Sequence, residues 1–361
     1  MNSIVKKNIL SVKPYLPGKP IDEVKRELGL KNVIKLASNE TPYGPSPKVR
    51  KAITDAARDI NRYPDGSCFY LRQELAKHLR VSPRQLIFGN GSDEIIVLAT
   101  RAFAGEGDEV VMARPSFLIY EIASKIAGAE IKFIPLKNFR YDLDGMEKTV
   151  SERTKIIFIG NPDNPAGTYV TTRQVENFLK NVRRDILVFF DEAYFEFVNK
   201  SDYPDTIKLL STYKNVITTR TFSKMYGLAG LRIGYGIAHE DIISILDRIR
   251  EPFNVNSLAQ AAAIACLRDR VYYEGKLKIL NKERKGLYES FRKLNLPYVE
   301  TATNFILVNV GRNSLEVSQK LLKKGVIIRD MGFWGLDTYI RVTIGTPTEN
   351  RRFIHTLKEV L

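Results

Sequence analysis

Short apolar runs alternate with stretches of helical period over most of the chain. Seven runs rich in β-branched and aromatic residues stand out, at 85–88, 109–112, 130–134, 155–159, 186–190, 216–219 and 232–235. Most are apolar nearly throughout instead of alternating, as expected of strands buried on both faces, and helical stretches separate them. That pattern predicts an α/β fold with a mostly parallel sheet covered by helices on both sides. Several helix starts are legible. Ser46-Pro47 supplies an N-cap and a first-turn proline ahead of a helix over 49–60, Ser92 starts one over 93–103, and Thr171 one over 173–182. After about residue 250 the texture changes. Helices over 257–267 and 272–294 are followed by strands at 305–310, 326–329 and 339–344, a helix over 315–324 and a last helix from about 349. This predicts a smaller α+β unit. The first 30 or so residues are too short for a core of their own and must pack elsewhere. The expected division is an N-terminal arm over 1–35 lying on the small domain, a large domain over 36–250 and a small domain over 251–361.

Composition adds bounds. The 361 residues suffice for two or three cores, and 44% apolar with 27% charged residues is ordinary for a globular chain. No apolar run approaches the roughly 20 residues that cross a bilayer, so no membrane partner is expected. The amino terminus lacks a secretory cleavage pattern, and a cytoplasmic location is expected. Cys68 and Cys266 are too few and too far apart for a disulfide framework or a zinc site, so no metal is expected. An excess of 56 basic over 41 acidic residues gives a net charge of +15, which attracts anions or simply marks a solvated basic surface. The basic residues are dispersed, and no helix-turn-helix, zinc-finger or RNA-recognition pattern accompanies them. Specific nucleic-acid binding is not expected, although salt-sensitive retention on polyanions stays open.

The chemistry lies at the ends of the predicted strands. Gly89-Asn90-Gly91-Ser92-Asp93 follows a strand and opens a helix; glycines there let backbone N–H groups face an anion, though a tight β–α turn reads the same way. The 161–167 segment, with two prolines and a glycine, makes a rigid turn that holds Asn164 at a strand end, where open α/β sheets bind ligands; it also reads as an ordinary turn. Asp191 closes an apolar run, where a carboxylate is costly to bury without a cationic partner, and Tyr194 lies three residues on. A strand-end Asp capping its own turn is the plainer alternative. Thr221, Ser223, Lys224 and Arg232 supply two hydroxyls, an amine and a guanidinium fork within twelve residues. A lone lysine is usually a solvated surface residue. Together, however, an amine nucleophile, a carboxylate for a ring nitrogen and an anion-binding set are what pyridoxal phosphate needs.

With these motifs the chain resembles the fold-type I, aspartate-aminotransferase-like pyridoxal-phosphate enzymes. Segments 13–20, 36–47, 61–65, 91–94, 326–330 and 339–346 further resemble the histidinol-phosphate aminotransferase family, and the likeness runs in order over roughly 13–355. The resemblance implies a large domain with a seven-stranded, mostly parallel sheet, pyridoxal 5′-phosphate as cofactor, and a homodimer. It implies that Lys224 holds the cofactor aldehyde as a Schiff base and then shuttles the proton, that Asp191 holds the ring nitrogen, and that Tyr194 and Asn164 bond the phenolic oxygen. The cofactor phosphate would take the backbone N–H groups of Ser92 and Asp93, the Thr221 and Ser223 hydroxyls and Arg232, with Tyr63 reaching it from the neighbouring subunit. Phe117 would stack on the ring; Tyr15, Asn39, Arg329 and Arg341 would bind substrate, with Arg341 also taking glutamate's carboxylate.

The implied reaction moves an amino group from L-glutamate to imidazole acetol phosphate, giving 2-oxoglutarate and L-histidinol phosphate, a step of histidine biosynthesis. The chain departs from the family's usual pattern at Asp163 and Ala166, where Asn and Thr are more frequent, at Phe117, where Tyr is common, and in the aromatic 331–336 segment. That segment suits an aromatic amine as readily as an imidazole. An aromatic amino acid aminotransferase is therefore the nearest alternative, followed by a pyridoxal-phosphate decarboxylase of a phosphorylated amino acid. A transcription factor built on this fold would need a DNA-binding domain ahead of Tyr15, and a catalytically inactive binding protein is at odds with the presence of Lys224, Asp191 and Arg232.

Overall fold

The structure is a computed structural model that describes residues 4–15 and 18–361. Leu16 and Pro17, inside one of the family-like segments, lie outside the described residues. The strands are β1 (Ile34–Lys35), β2 (Leu86–Gly89), β3 (Glu109–Arg114), β4 (Glu130–Pro135), β5 (Thr154–Gly160), β6 (Leu187–Asp191), β7 (Val216–Thr221), β8 (Gly234–Ala238), β9 (Tyr298–Val299), β10 (Phe305–Asn309), β11 (Val326–Ile327), β12 (Arg329–Asp330) and β13 (Tyr339–Thr343).

Seven of them form one sheet in the order β2-β8-β7-β6-β5-β3-β4. All neighbours are parallel except β8, which runs antiparallel to both β2 and β7. The fold class is thus α/β with a mostly parallel seven-stranded sheet, as the largely apolar runs predict. Burial on both faces is explicit in the pleat. Ile157, Ile159, Val188 and Phe190 join the core on one side, and Ile156, Phe158, Leu187 and Phe189 that on the other. Because the carboxyl ends of β2, β5, β6 and β7 lie on one edge, Gly89, Gly160, Asp191 and Thr221 meet there. That edge is where parallel α/β sheets open a crevice.

A second sheet has the order β12-β13-β10-β9 and is antiparallel throughout. The amino-terminal helix Ile21–Leu28 packs Val24 against Ala37 and Ile327, and β1 pairs in parallel with β11.

Three local expectations are corrected. The run at 326–329 is not one strand: Val326–Ile327 pairs with β1, whereas Arg329–Asp330 pairs with β13. The run at 232–235 begins its strand only at Gly234. Arg232 precedes it in left-handed backbone (φ 55°) after a short 3-10 turn, so it is presented from a loop. Ser92 is the first residue of its helix and not its cap; Gly91 holds the cap position at φ 85°, a conformation glycine adopts without strain. Ser46 and Thr171 do cap, accepting from the backbone N–H of Val49 and Gln174. The helix after Ser46 ends at Ala56 before a 3-10 turn.

Candidate active site

One cavity of about 280 Å³ gathers almost every residue singled out by the sequence: Asp191 and Tyr194 after β6, Thr221, Ser223 and Lys224 after β7, Asn164 after β5, and Ser92 and Asp93 at a helix start. Phe117, Asn39, Tyr15, Arg232, Arg329 and Arg341 complete its walls. Tyr63 is the exception. It is 83% exposed and stacks on Phe253 at 4.8 Å, away from the cavity lining of its own chain.

Asp191 is the electrostatic centre. Strand parity places its side chain on the face that carries Leu187 and Phe189, beneath the helix Leu118–Ala127. Burial raises its carboxyl to about 6, while the Tyr120 hydroxyl, donating to Oδ2 at 2.7 Å, and the Ala193 N–H, donating to Oδ1 at 3.1 Å, pull the other way. Sequence reasoning missed Tyr120. It lies three positions after Phe117, one helical turn on, and its ring is sandwiched against Phe158 at 4.8 Å and edge-on to Phe117 at 5.6 Å. The available signal was a tyrosine on the buried face of an amphipathic helix, whose hydroxyl must find a partner in the core.

Lys224 donates to the Ser38 carbonyl at 3.3 Å. Desolvation and the neighbouring Arg341 charge lower its pKa, the direction that favours the nucleophilic amine. Tyr194 is buried, with its hydroxyl pushed up to about 12 by desolvation, and it accepts from Asn39 Nδ2 at 2.9 Å. Asn39 itself, at φ 56°, is tied to β13 by its N–H to Thr343 Oγ1 at 2.9 Å.

The far wall is cationic. Antiparallel pairing sets Arg329 directly opposite Arg341, so both project from one face of the small sheet. Arg341 is buried, donates to the Ala37 carbonyl at 3.3 Å and to Asn164 Oδ1, and leaves its Nε without a partner among the described residues. Burial and the Arg329 charge depress its pKa. The Asn164 oxygen being occupied by Arg341, its amide NH₂ is the group left to face a ligand.

These residues fit pyridoxal phosphate. A buried carboxylate held by two donors suits a protonated ring nitrogen. Gly91 and Gly234 leave the start of the helix Ser92–Phe103 bare: a Cβ on Gly91 would lie 2.6 Å from Arg232 Nη2, and one on Gly234 would collide with the Ser92 backbone N. The first-turn N–H groups and the Arg232 fork therefore share an anion-sized niche. Arg232 is held there by Asp93 at 3.3 Å, and Thr221 Oγ1 accepts the Ser223 N–H at 3.1 Å.

Comparison with known proteins gives the family. Residues 31–357 match the family model for aminotransferase class I and II. The histidinol-phosphate aminotransferase of Caldicellulosiruptor saccharolyticus is 50% identical over 98% of this chain and 99% of its own. That of Moorella thermoacetica is 49% identical over 98% of this chain and 92% of its own. The crystal structure of histidinol-phosphate aminotransferase from Sinorhizobium meliloti in complex with pyridoxal-5′-phosphate superposes with a TM-score of 0.92 at 30% identity, covering 99% of this chain and 97% of that one.

Proposed function

The chain belongs to the class I and II aminotransferases and works with pyridoxal 5′-phosphate, and on that premise we propose that it is a transaminase of histidine biosynthesis. It would pass the amino group of L-glutamate to imidazole acetol phosphate, giving 2-oxoglutarate and L-histidinol phosphate. The near-full-length relatives bear that activity in their names. The structural observation behind the substrate choice is the pair Arg329 and Arg341, opposed across β12 and β13 on one cavity wall with Tyr15 beside them. Two guanidinium groups and a phenol suit a phosphate dianion.

When bound, the cofactor supplies an aldehyde that carries the amino group and a ring that accepts electrons from the substrate's α-carbon. In this assignment Lys224 would hold the cofactor through its amine and, once freed, would be the group that moves the substrate's α-proton. Its lowered pKa keeps the amine available as a base. Asp191 would keep a proton on the ring nitrogen, with Tyr120 orienting that carboxylate. Tyr194 and Asn164 would bond the phenolic oxygen, and Phe117 would lie against the ring. The N–H groups of Ser92 and Asp93, with Thr221, Ser223 and Arg232, would bind the cofactor phosphate. Arg341 alternates between glutamate's carboxylate and the substrate phosphate, while Asn39 steadies Tyr194 at the substrate side.

The assembly would be a homodimer in which Tyr63 completes the partner's phosphate site. Exposed large apolar side chains support it: Tyr63 with Phe253, Phe69 with Tyr70, and Ile60 lie at the surface of the single chain. Sedimentation as an active monomer, or unchanged cofactor affinity in Tyr63→Phe, would refute the shared site. The division into an arm over 1–35, a cofactor-binding unit over 36–250 and a small unit over 251–361 is supported by the separation of the two main sheets, β2–β8 and β9–β13. A cytoplasmic site of action is supported by two cysteines, both buried thiols. Among the described residues no helix is long and apolar enough to span a membrane.

The deciding experiment is a half-reaction. Loss of the holoenzyme's visible absorbance is followed after separate addition of L-histidinol phosphate, L-glutamate and L-phenylalanine. Rapid bleaching by the first two and slow bleaching by the third is the expected result. Bleaching by phenylalanine but not histidinol phosphate would overturn the substrate and move it to the aromatic class.

A further inference from the structure

The turn Gly332–Trp334 belongs to the aromatic segment that departs from the family's usual pattern, and it carries the single tryptophan of the chain. Burial and hydrogen bonds fix its place. Met331 is fully buried against Ala166 and Leu307. The Gly332 N–H donates to Asp330 Oδ1 at 3.1 Å, and that oxygen also accepts from Ser314 Oγ at 2.5 Å, which anchors the turn to the helix Ser314–Lys323. From this base the Trp334 indole reaches two functional elements at once. Its ring centroid lies 5.0 Å from the Arg329 guanidinium carbon, and its Nε1–H donates to the Ser116 carbonyl at 3.1 Å, one residue before Phe117. Trp334, Phe333, Arg329, Phe117 and Tyr15 also line a second cavity of about 870 Å³ that shares Tyr15, Phe117 and Arg329 with the active site.

Arg329 faces the like charge of Arg341 across the strand pair. Two guanidinium groups so placed repel each other, and the electron-rich indole face is one of the contacts that steady the less buried Arg329 against that repulsion. Resting on the phosphorylated-amine reading above, we propose that Trp334 is a positioning residue that sets selectivity for a phosphorylated substrate. It holds Arg329 at the distal end of the site and ties the 331–336 turn to the segment bearing Phe117. Glutamate, whose carboxylate is met by Arg341, depends on it much less.

The test compares Trp334→Leu and Trp334→Phe with the wild-type holoenzyme in half-reactions with L-histidinol phosphate, L-histidinol and L-glutamate. Loss of a cation–π contact predicts about a tenfold rise in KM for histidinol phosphate in Trp334→Leu. Changes within about twofold are expected for glutamate and histidinol, with kcat kept, and Trp334→Phe should recover most of the loss because it retains a ring face. Equal losses for all three amines would mark a merely structural role and overturn the proposal, as would no change at all. A second readout does not depend on turnover or on the substrate being correct. Inorganic phosphate added to the wild-type protein should shift the emission of this lone tryptophan, and the shift should vanish in Arg329→Gln. An emission insensitive to phosphate would overturn the role of Trp334. A wild-type enzyme that bleaches only with phenylalanine would instead overturn the substrate reading.

Discussion

Tyr120→Phe removes one hydroxyl from a packed core and tests how Asp191 is kept ionised. The Tyr120 Oη–Asp191 Oδ2 bond is 2.7 Å long between two buried side chains, and its loss leaves Asp191 with the Ala193 N–H at 3.1 Å. A hydrogen bond to a buried carboxylate contributes about 1.5–3 kcal/mol, which at 1.36 kcal/mol per unit is about 1–2 units of pKa. Asp191 starts at about 6 in the cofactor-free protein, so the variant should titrate at roughly 7–8. A protonated ring nitrogen pairs only with the ionised form, so cofactor affinity falls on the acid side of this titration. The assay is pyridoxal phosphate binding to the apoprotein across the neutral range. The affinity midpoint should move up by about 1–2 pH units, with about a two- to tenfold loss at pH 7 and convergence in alkali. Stability carries the same signature. A carboxyl raised in the fold contributes stability that is complete below its unfolded value of 3.8 and lost as pH rises through the folded value near 6. In the variant that loss should extend to higher pH. An unchanged affinity midpoint in a variant with native circular dichroism would refute the reasoning.

Three further outcomes are expected. Asp163 is buried with Oδ1 unpartnered and its carboxyl raised to about 7 by desolvation, so Asp163→Asn should stabilise the apoprotein by about 1–3 kcal/mol above neutrality, with the gain fading toward pH 4, as read by thermal unfolding against pH. Lys224→Met should abolish transamination yet raise the melting temperature of the apoprotein at pH 7, since burial and Arg341 disfavour the ammonium; because the folded pKa is lowered, the gain should shrink as pH rises toward 10.5, and a lower melting temperature would contradict it. Gly234→Ala drives a Cβ against the Ser92 N and within 2.8 Å of the Gly91 carbonyl carbon, so cofactor affinity should fall about tenfold or more in titrations of apoprotein whose secondary structure is intact.

Much of this protein was legible along the chain because the information is local. Seven runs, most of them nearly apolar throughout, announce strands buried largely on two faces, and the sheet has seven strands. The caps at Ser46 and Thr171 depend on one side chain and a backbone N–H three residues away. The residues at strand ends, Asp191, Thr221 and the glycines after β2, converge because a parallel sheet gathers its carboxyl ends on one edge. Tertiary structure alone decided the rest. Whether 326–330 was one strand or two depended on which partners its backbone met, and β1 and β13 divided it. Tyr120 lies 71 positions before Asp191 and meets it through the parity of β6, which no local pattern records. The opposition of Arg329 and Arg341 came from register, and the grip of Trp334 on Ser116 from the meeting of two segments 218 positions apart. Periodicity fixes which face of an element is apolar; only the assembled chain fixes which polar atom waits on the other side of the core.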